Sequence, residues 1–236
     1  TYNLTARSGD IVLSDGNTMY MWSYSMTGGA FQYPGPVLCV NQGDTVTIIL
    51  QNNLSEATSI MFPGQENVQA NGVAAQPEFV GSDLVSLTTS ASAGGSVTYS
   101  FVAGKPGTYI YESGTDTNKQ VAMGLSGVLV VRPSSGAAFA YNRTDSRFTP
   151  AEEFLVLLSE IDPYLHQAVQ AGRTFDMNTY HPRYWLLNGR GFPDTIADNF
   201  ASWLPNQPYG ALARILGSHP AALMRASATL TVLTGS

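Results

Sequence analysis

The sequence predicts an all-β protein in which short strands pack as a sandwich. Apolar and polar residues alternate over 45–51, where Val46, Ile48 and Leu50 fall on one side. Segment 96–102 has the same period of two, which is typical of a half-buried strand. Gly and Pro turns separate such segments, and no long helical period occurs before residue 150. Short strands at near-regular spacing predict an antiparallel sandwich or barrel.

The strands can be placed in order along the first part of the chain. A turn at 14–17, with Asp-Gly at its centre, separates an opening strand from an aromatic-rich one. Stretch 33–54 holds a Pro-Gly-Pro turn, a short strand, a second turn at 41–44 and a longer strand. A long connection with short strands fills 63–95. The other predicted strands are 2–7, 18–26, 96–102, 108–112 and 124–131.

A second unit is predicted after a polar, glycine-containing stretch. We expect one domain over 1–135, a linker over 136–150 and the N-terminal part of a second domain over 151–236. In the second unit, segment 154–160 predicts a buried strand, and 184–191 predicts a strand that runs into a turn.

One short helix is expected in the second unit, over 162–172. Asp162 can act as its N-cap, Pro163 suits the first helical position and Gly172 suits the C-cap. The tail 211–236 has too few candidate strands to close a second sandwich. We therefore expect the chain to be a fragment, or its second domain to be completed by another chain.

Composition excludes several classes of function. Charged residues make up 12% of the chain, the net charge is −6 and only 11 residues are basic, which argues against nucleic acid as a partner. No apolar run approaches the ~20 residues that cross a bilayer. Little lysine and much Ser, Thr, Gly, Asn and Tyr are typical of an exported protein, extracellular or periplasmic. The expected partner is another protein chain or the remainder of a longer parent protein.

Cysteine and glycosylation motifs add two expectations. Cys39 is the only cysteine, so no disulfide forms within the chain, and its place between Leu38 and Val40 predicts a small buried side chain. Three Asn-x-Ser/Thr triplets arise by chance or mark glycans in a secretory compartment. They begin at Asn3, Asn53 and Asn142.

Several motifs then resemble one family. The Pro-Gly-Pro turn, the Gly-Asp-Thr-Val run at 43–46, Asn-Asn-Leu at 52–54 and the Ser-Ile pair at 59–60 occur in one order. This order resembles the first plastocyanin-like domain of multicopper oxidases, the laccase relatives. The runs Leu-Leu-Ser-Glu at 157–160 and Tyr-Trp-Leu-Leu-Asn-Gly-Arg at 184–190 resemble the start of the family's second domain. The resemblance implies a Greek-key sandwich of the cupredoxin type, followed by a second, incomplete cupredoxin-like domain.

The resemblance also locates the family's copper positions. In the family, two His-x-His pairs of the first domain bind copper, one after the Ser-Ile strand and one after a Tyr-x-Tyr strand end. The matching positions hold Met61, Pro63, Glu112 and Gly114. Proline and glycine offer no side-chain donor, whereas methionine is a soft ligand and glutamate a hard one. The chain has three histidines, none in a His-x-His pair, so it cannot complete the family's trinuclear centre. They are His166, His181 and His219.

Two interpretations of Glu112 remain open. It is a solvated carboxylate at the end of a strand, or it anchors polar neighbours in the vacated copper pocket. Those neighbours are Ser113, Thr115 and Lys119. Met61 and Met123 can fill the same pocket, because methionine adapts to irregular gaps.

One other cluster is a candidate for ligand binding or for an interface. Its members are Tyr180, His181, Arg183, Tyr184 and Trp185. Aromatic rings and arginine are also the groups that protein interfaces use. His166 falls within the expected helix, where we expect a capping or surface role.

Three functional hypotheses follow. The first is a copper-free cupredoxin module of an exported multicopper-oxidase-like protein, an oxidoreductase by resemblance, whose oxidase centre and copper lie outside this chain. The second is a structural or assembly subunit of an extracellular oligomer or filament, completed by partner strands. The third is a residual enzyme that uses the cluster at 180–185.

Overall fold

A computed structural model describes residues 1–149, 153 and 155–191, together with the backbone of a short strand at 232–234. Several predictions fall outside these residues. They concern the end of the linker at 150, the strand start at Phe154, His219 and most of the tail 211–236.

Two sheets face each other in the first part of the chain. The larger consists of β1 (Tyr2–Val12), β2 (Thr18–Met26), β4 (Thr45–Asn52), β5 (Gln69–Ala70), β6 (Val73–Ala74) and β9 (Ser96–Val102). Its spatial order is β2-β1-β4-β9-β5-β6. The smaller consists of β3 (Leu38–Asn41), β10 (Gly107–Glu112) and β11 (Ser126–Arg132), in the order β10-β11-β3. This arrangement confirms the predicted all-β sandwich.

Smaller elements complete the described structure. A hairpin of β7 (Glu78–Val80) and β8 (Asp83–Ser86) lies in the long connection, and α1 (Thr117–Ala122) lies between β10 and β11. A third sheet has the order β13-β12-β14, and α2 follows its central strand. Its members and the helix are β12 (Val156–Ile161), α2 (Pro163–Gln170), β13 (Tyr184–Leu187) and β14 (Val232–Thr234).

The alternation of apolar and polar residues in β4 explains how the two sheets pack against each other. Val46, Ile48 and Leu50 are 2%, 0% and 0% exposed, so every second residue points into the core between the sheets. Burying such side chains contributes roughly 1.5–3 kcal/mol each. Tyr24 and Tyr111 meet in this core with ring centroids 5.7 Å apart.

The predicted antiparallel pairing does not hold for two strand pairs of the sandwich. β1 runs parallel to β4, and β3 runs parallel to β11. After β2 the chain leaves the larger sheet, adds β3 to the smaller one and returns as β4. Such a crossover allows a strand to return in the direction of its new neighbour, which a tight hairpin cannot do.

Two further expectations for the first part are wrong. Cys39 is exposed, because the two-residue period of β3 turns Leu38 and Val40 inward and the residue between them outward. The helix α1 is absent from the predicted elements, because six residues are too few to show a helical period.

The helix predicted after Asp162 is confirmed, but its contacts differ from those expected. Asp162 caps it by accepting a hydrogen bond from the Tyr164 amide at 2.9 Å, and Pro163 opens it. Leu165 is fully buried and joins the core of the first sandwich. His166 is also fully buried, so the expected surface or capping role is wrong.

The motifs that carried the family resemblance pack against each other. A Cβ built at Gly189, in the Asn-Gly-Arg turn, would lie 2.5 Å from the Tyr33 carbonyl oxygen and 2.9 Å from Cδ of Pro34. The side-chain oxygen of Asn188 accepts from the Leu157 amide at 2.8 Å and thereby fixes the turn to β12. The two units thus share packed surfaces, and the division at 136–150 stays a prediction.

The burial of His166 predicts an acid-dependent loss of stability. Its Nδ1 lies 2.6 Å from the Tyr20 carbonyl, which can only accept, so Nδ1 carries the proton. Nε2 is buried without a partner in hydrogen-bond geometry among the described residues. Burial lowers the pKa of His166, and the carbonyls of Tyr20 and Ala122 only partly oppose this.

Because the folded pKa lies below the unfolded value, the unfolded chain binds the extra proton first as the pH falls. The neutral ring contributes stability fully above about pH 6.5, and this is lost at lower pH. In urea titrations from pH 8 to 5, the free energy of unfolding should fall on the order of 1 kcal/mol more for the wild type than for His166→Gln. His181→Gln, at an exposed histidine, is the control and should keep the wild-type slope. Equal slopes for wild type and His166→Gln would exclude this account.

Candidate functional site

Three of the four predicted copper positions meet at one end of the sandwich. Met61 and Glu112 are paired in an antiparallel bridge, in which the Met61 amide donates to the Glu112 carbonyl at 2.7 Å and the reverse bond measures 3.2 Å. A Cβ built at Gly114 would lie 2.7 Å from Cγ and 3.2 Å from Sδ of Met61. Pro63, the fourth position, is exposed. Methionine therefore occupies the space that a side chain at position 114 would need.

The donor atoms at this end do not fit a copper site of the family. Of the four predicted positions, only Met61 and Glu112 carry side-chain donor atoms, and a thioether and a carboxylate favour different metals. Burial raises the pKa of Glu112, which disfavours its charged, ligating form. No group of three or more His, Cys, Asp or Glu side chains in the described part of the chain could hold a metal ion.

The polar neighbours considered for Glu112 bind other groups. Lys119 forms a 2.8 Å ion pair with Glu56, and the hydroxyls of Ser113 and Thr115 belong to a buried network. Within the described ranges, the Glu112 carboxylate has neither a hydrogen bond nor an ion pair. The proposed anchoring role is therefore wrong.

The buried network centres on the Gln120 side chain of α1, which is fully shielded from solvent. Its Oε1 accepts from the hydroxyls of Thr58 at 2.8 Å and Ser113 at 2.6 Å. Its Nε2 donates to a Glu56 carboxylate oxygen at 2.9 Å and to the Ala57 carbonyl at 2.8 Å. One amide thus uses both acceptor sites and both protons to join α1 to the strand ends.

A second part of the network lies directly under the predicted copper positions. The Ser59 hydroxyl accepts from the Gly114 amide at 3.0 Å and from the Thr115 hydroxyl at 2.9 Å. Ser86, in β8, lies 2.9 Å from Thr115 and donates to the Thr88 carbonyl at 2.6 Å. Hydroxyl pairs therefore tie together three chain segments here.

Three of the five residues in the predicted cluster at 180–185 face solvent rather than a common site. Trp185 is 69% exposed, and His181 is exposed, with its backbone amide bound to Asp162 at 2.7 Å. The Arg183 guanidinium stacks over the Tyr164 ring at 5.1 Å. The Arg183 side chain therefore contacts a residue outside the cluster.

The two tyrosines of the cluster also diverge. The Tyr184 hydroxyl donates to Asp15 at 2.9 Å, on the turn between β1 and β2. Tyr180 is half-buried and lines a cavity between the two units. The structure does not bring the five residues into one catalytic arrangement.

The central residues of the network carry no sequence signal that marks them as such. Thr58 and Gln120 are 62 residues apart, and Ser59 and Thr115 are 56 apart. The density of hydroxyl and amide residues over 113–120 is the one local signal, and it is shared with ordinary turns.

Comparison with known proteins gives consistent relatives. A 109-residue segment is 33% identical to copper resistance protein A of Pseudomonas syringae pv. tomato, and covers 46% of this chain and 16% of that protein. A 122-residue segment is 32% identical to a probable nitrite reductase-hydroxylamine oxidoreductase fusion protein of Kuenenia stuttgartiensis, and covers 49% of this chain and 13% of that protein.

Solved structures share the fold. A blue copper oxidase from Nitrosomonas europaea superposes with a TM-score of 0.61 at 23% identity, over 83% of this chain and 55% of that one. A copper nitrite reductase from the same organism gives a TM-score of 0.53 at 22% identity, over 80% and 55%.

The sequence model of the multicopper oxidase family matches residues 15–136, which hold β2 to β11 and the network around Gln120. This match spans just over half of the 236-residue chain. The chain belongs to the multicopper oxidase family.

Proposed function

We propose that this chain is a copper-free cupredoxin module of a multicopper-oxidase-like protein, and that any oxidase centre of that protein lies outside this chain. The observation that carries the proposal is the packing of Met61 on Gly114. A methionine side chain, rather than imidazoles, fills the space between two of the positions that match the family's copper ligands.

The module's role is then structural. The network around Gln120 satisfies its own donors and acceptors, so the end of the sandwich that matches the copper positions needs no ion to neutralise or order it. The chain matches only 16% and 13% of the two curated relatives, so the activity of a whole parent protein belongs to this proposal.

Export to the periplasm or the extracellular space is part of the same proposal. Its support is the low charge and lysine content and the exposure of the three candidate glycosylation asparagines. Among the described residues, no helix is both long and apolar enough to span a bilayer.

Copper loading tests the proposal. After incubation with excess copper and removal of the free ion, the protein should retain far less than one copper per chain and stay colourless, because no suitable donor set exists. The double variant Met61→Ala/Glu112→Ala should retain the same residual amount. A stoichiometric, coloured copper that this variant loses would contradict the proposal.

An assembly subunit is the second candidate, favoured by the β7–β8 hairpin. Its apolar side chains are unusually exposed, with Val80 at 68%, Phe79 at 59% and Leu84 at 51%. In the described structure the two strands form a ladder only with each other, apart from one isolated bridge between Ser86 and Thr115, so most of both edges is open to backbone pairing. We propose a second copy of this chain as its partner, since a two-fold contact would place apolar face on apolar face.

Mass measurement in solution decides this candidate. Light scattering should give a dimer whose dissociation constant rises about tenfold or more for Phe79→Asp, because the charge must be buried. Val12→Asp, at a side chain 73% exposed on β1, is the control and should leave the mass unchanged. A monomer at all concentrations would rule out the assembly role.

A further inference from the structure

A cavity of about 280 Å³ lies where the first sandwich meets the second unit. One wall comes from β10, α1 and the start of β11, and the other from β12 and the 3-10 turn at Met177–Thr179. Six of the thirteen lining residues are apolar. The apolar side chains are Ile110, Val121, Ala122, Leu157, Leu158 and Met177.

The other lining residues bring polar groups to the same space. They are Tyr33, Asn118, Ser126, Ser159, Glu160, Asn178 and Tyr180. The Ser159 hydroxyl is shielded from solvent and lies near the Tyr33 hydroxyl, but no atom of the described residues meets it in full hydrogen-bond geometry. A shielded hydroxyl without a partner costs about 1–3 kcal/mol, which a ligand that bonds to it would recover. An apolar cavity with a few convergent polar groups is the usual form of a small-molecule site.

The Tyr33 wall of the cavity is rigid. Its ring is so close to Gly124 that a Cβ there would lie 2.8 Å from a ring carbon. Gly189 approaches the Tyr33 backbone from the other unit, with 2.5 Å between its built Cβ and the carbonyl oxygen. Burial raises the pKa of Tyr33 to about 12, which keeps its hydroxyl protonated, and the nearby Ser159 hydroxyl opposes this shift only weakly.

The charge around the cavity is negative. Glu160 is the only charged residue of the lining, and it forms no ion pair within the described ranges. Tyr180 has a raised pKa, first because it is buried and then because the carboxylates of Glu160 and Asp162 disfavour its anion. A ligand with a positive charge would therefore be favoured over a neutral or negative one of the same shape.

We propose that this cavity is a binding site for a small organic amine, with its ammonium group toward Glu160 and its apolar body among the aliphatic side chains. The volume equals that of about nine water molecules, which suits a ligand of about ten non-hydrogen atoms. The ammonium would donate to the Glu160 carboxylate and to the Ser159 hydroxyl. No bond is made or broken in this binding.

Three probes that share a phenyl body test the site by calorimetric titration. 2-Phenylethylamine should bind saturably, one per chain. 2-Phenylethanol should bind about tenfold or more weakly, because it lacks the charge, and 3-phenylpropionate more weakly still. Equal affinities for amine and alcohol, or no saturable binding of the amine, would overturn the proposal.

Two variants that each remove one negative charge test whether the ammonium group contacts Glu160. Glu160→Gln should weaken amine binding about tenfold and leave alcohol binding unchanged. Asp83→Asn, on the exposed hairpin outside the cavity lining, should change neither. If both variants weaken the amine equally, the attraction is the net charge of the protein and the proposed site is wrong. The comparison of amine with alcohol in the wild type decides the matter even if Glu160→Gln does not fold.

Discussion

The amide of Gln120 is the contact on which this end of the molecule depends. It lies out of reach of water and makes four hydrogen bonds, two as acceptor and two as donor. Its partners lie on the segment before Met61 and on the segment after Glu112, so one side chain holds both strand ends that carry the predicted copper positions. A buried polar group is costly unless it is fully paired, and this one is. In the second part of the network, the buried hydroxyl groups of Ser59, Ser86 and Thr115 are likewise paired with one another and with backbone groups.

Scaffold and chemistry are separable in this chain. The sandwich is held by alternating apolar residues such as Ile48 and Leu50, which depend on no metal. At the end that holds the predicted copper positions, hydrogen bonds and the Met61 side chain fill the space. Membership of the family establishes the fold, and copper chemistry has to be argued separately from the ligands at a site.

Much of the fold could be predicted from the sequence because it depends on apolar and polar residues that alternate within single strands and on local turn and capping residues. The bounds predicted for β2 and β9 match the structure, and the cap of α2 at Asp162 is a local hydrogen bond between near neighbours. The parallel pairs escaped prediction because they depend on where the chain crosses between sheets. The prediction for Cys39 is wrong because the preference of cysteine for burial conflicts with the alternation of its strand, and the alternation decides which way the side chain points.

The site was less predictable than the fold. His166 became a core residue because α2 packs on β2, a contact between residues 146 apart. The cluster at 180–185 dispersed because a run that leaves a 3-10 turn and enters a strand sends successive side chains in different directions. Only Tyr180 reached a cavity, and the groups beside it, Ser159 and Tyr33, come from distant segments that no spacing rule connects.

The most direct test of the central claim is the free energy of unfolding of a Gln120→Ala variant in metal-free buffer. If this amide holds the end of the sandwich together without copper, urea titration should show a loss of about 3 kcal/mol or more, because four bonds disappear and buried partners are left unpaired. Gln76→Ala, at an exposed glutamine, should change stability by no more than about 0.5 kcal/mol. A Gln120→Ala loss as small as that of Gln76→Ala, or a wild type that becomes markedly more stable when copper is added, would contradict the account.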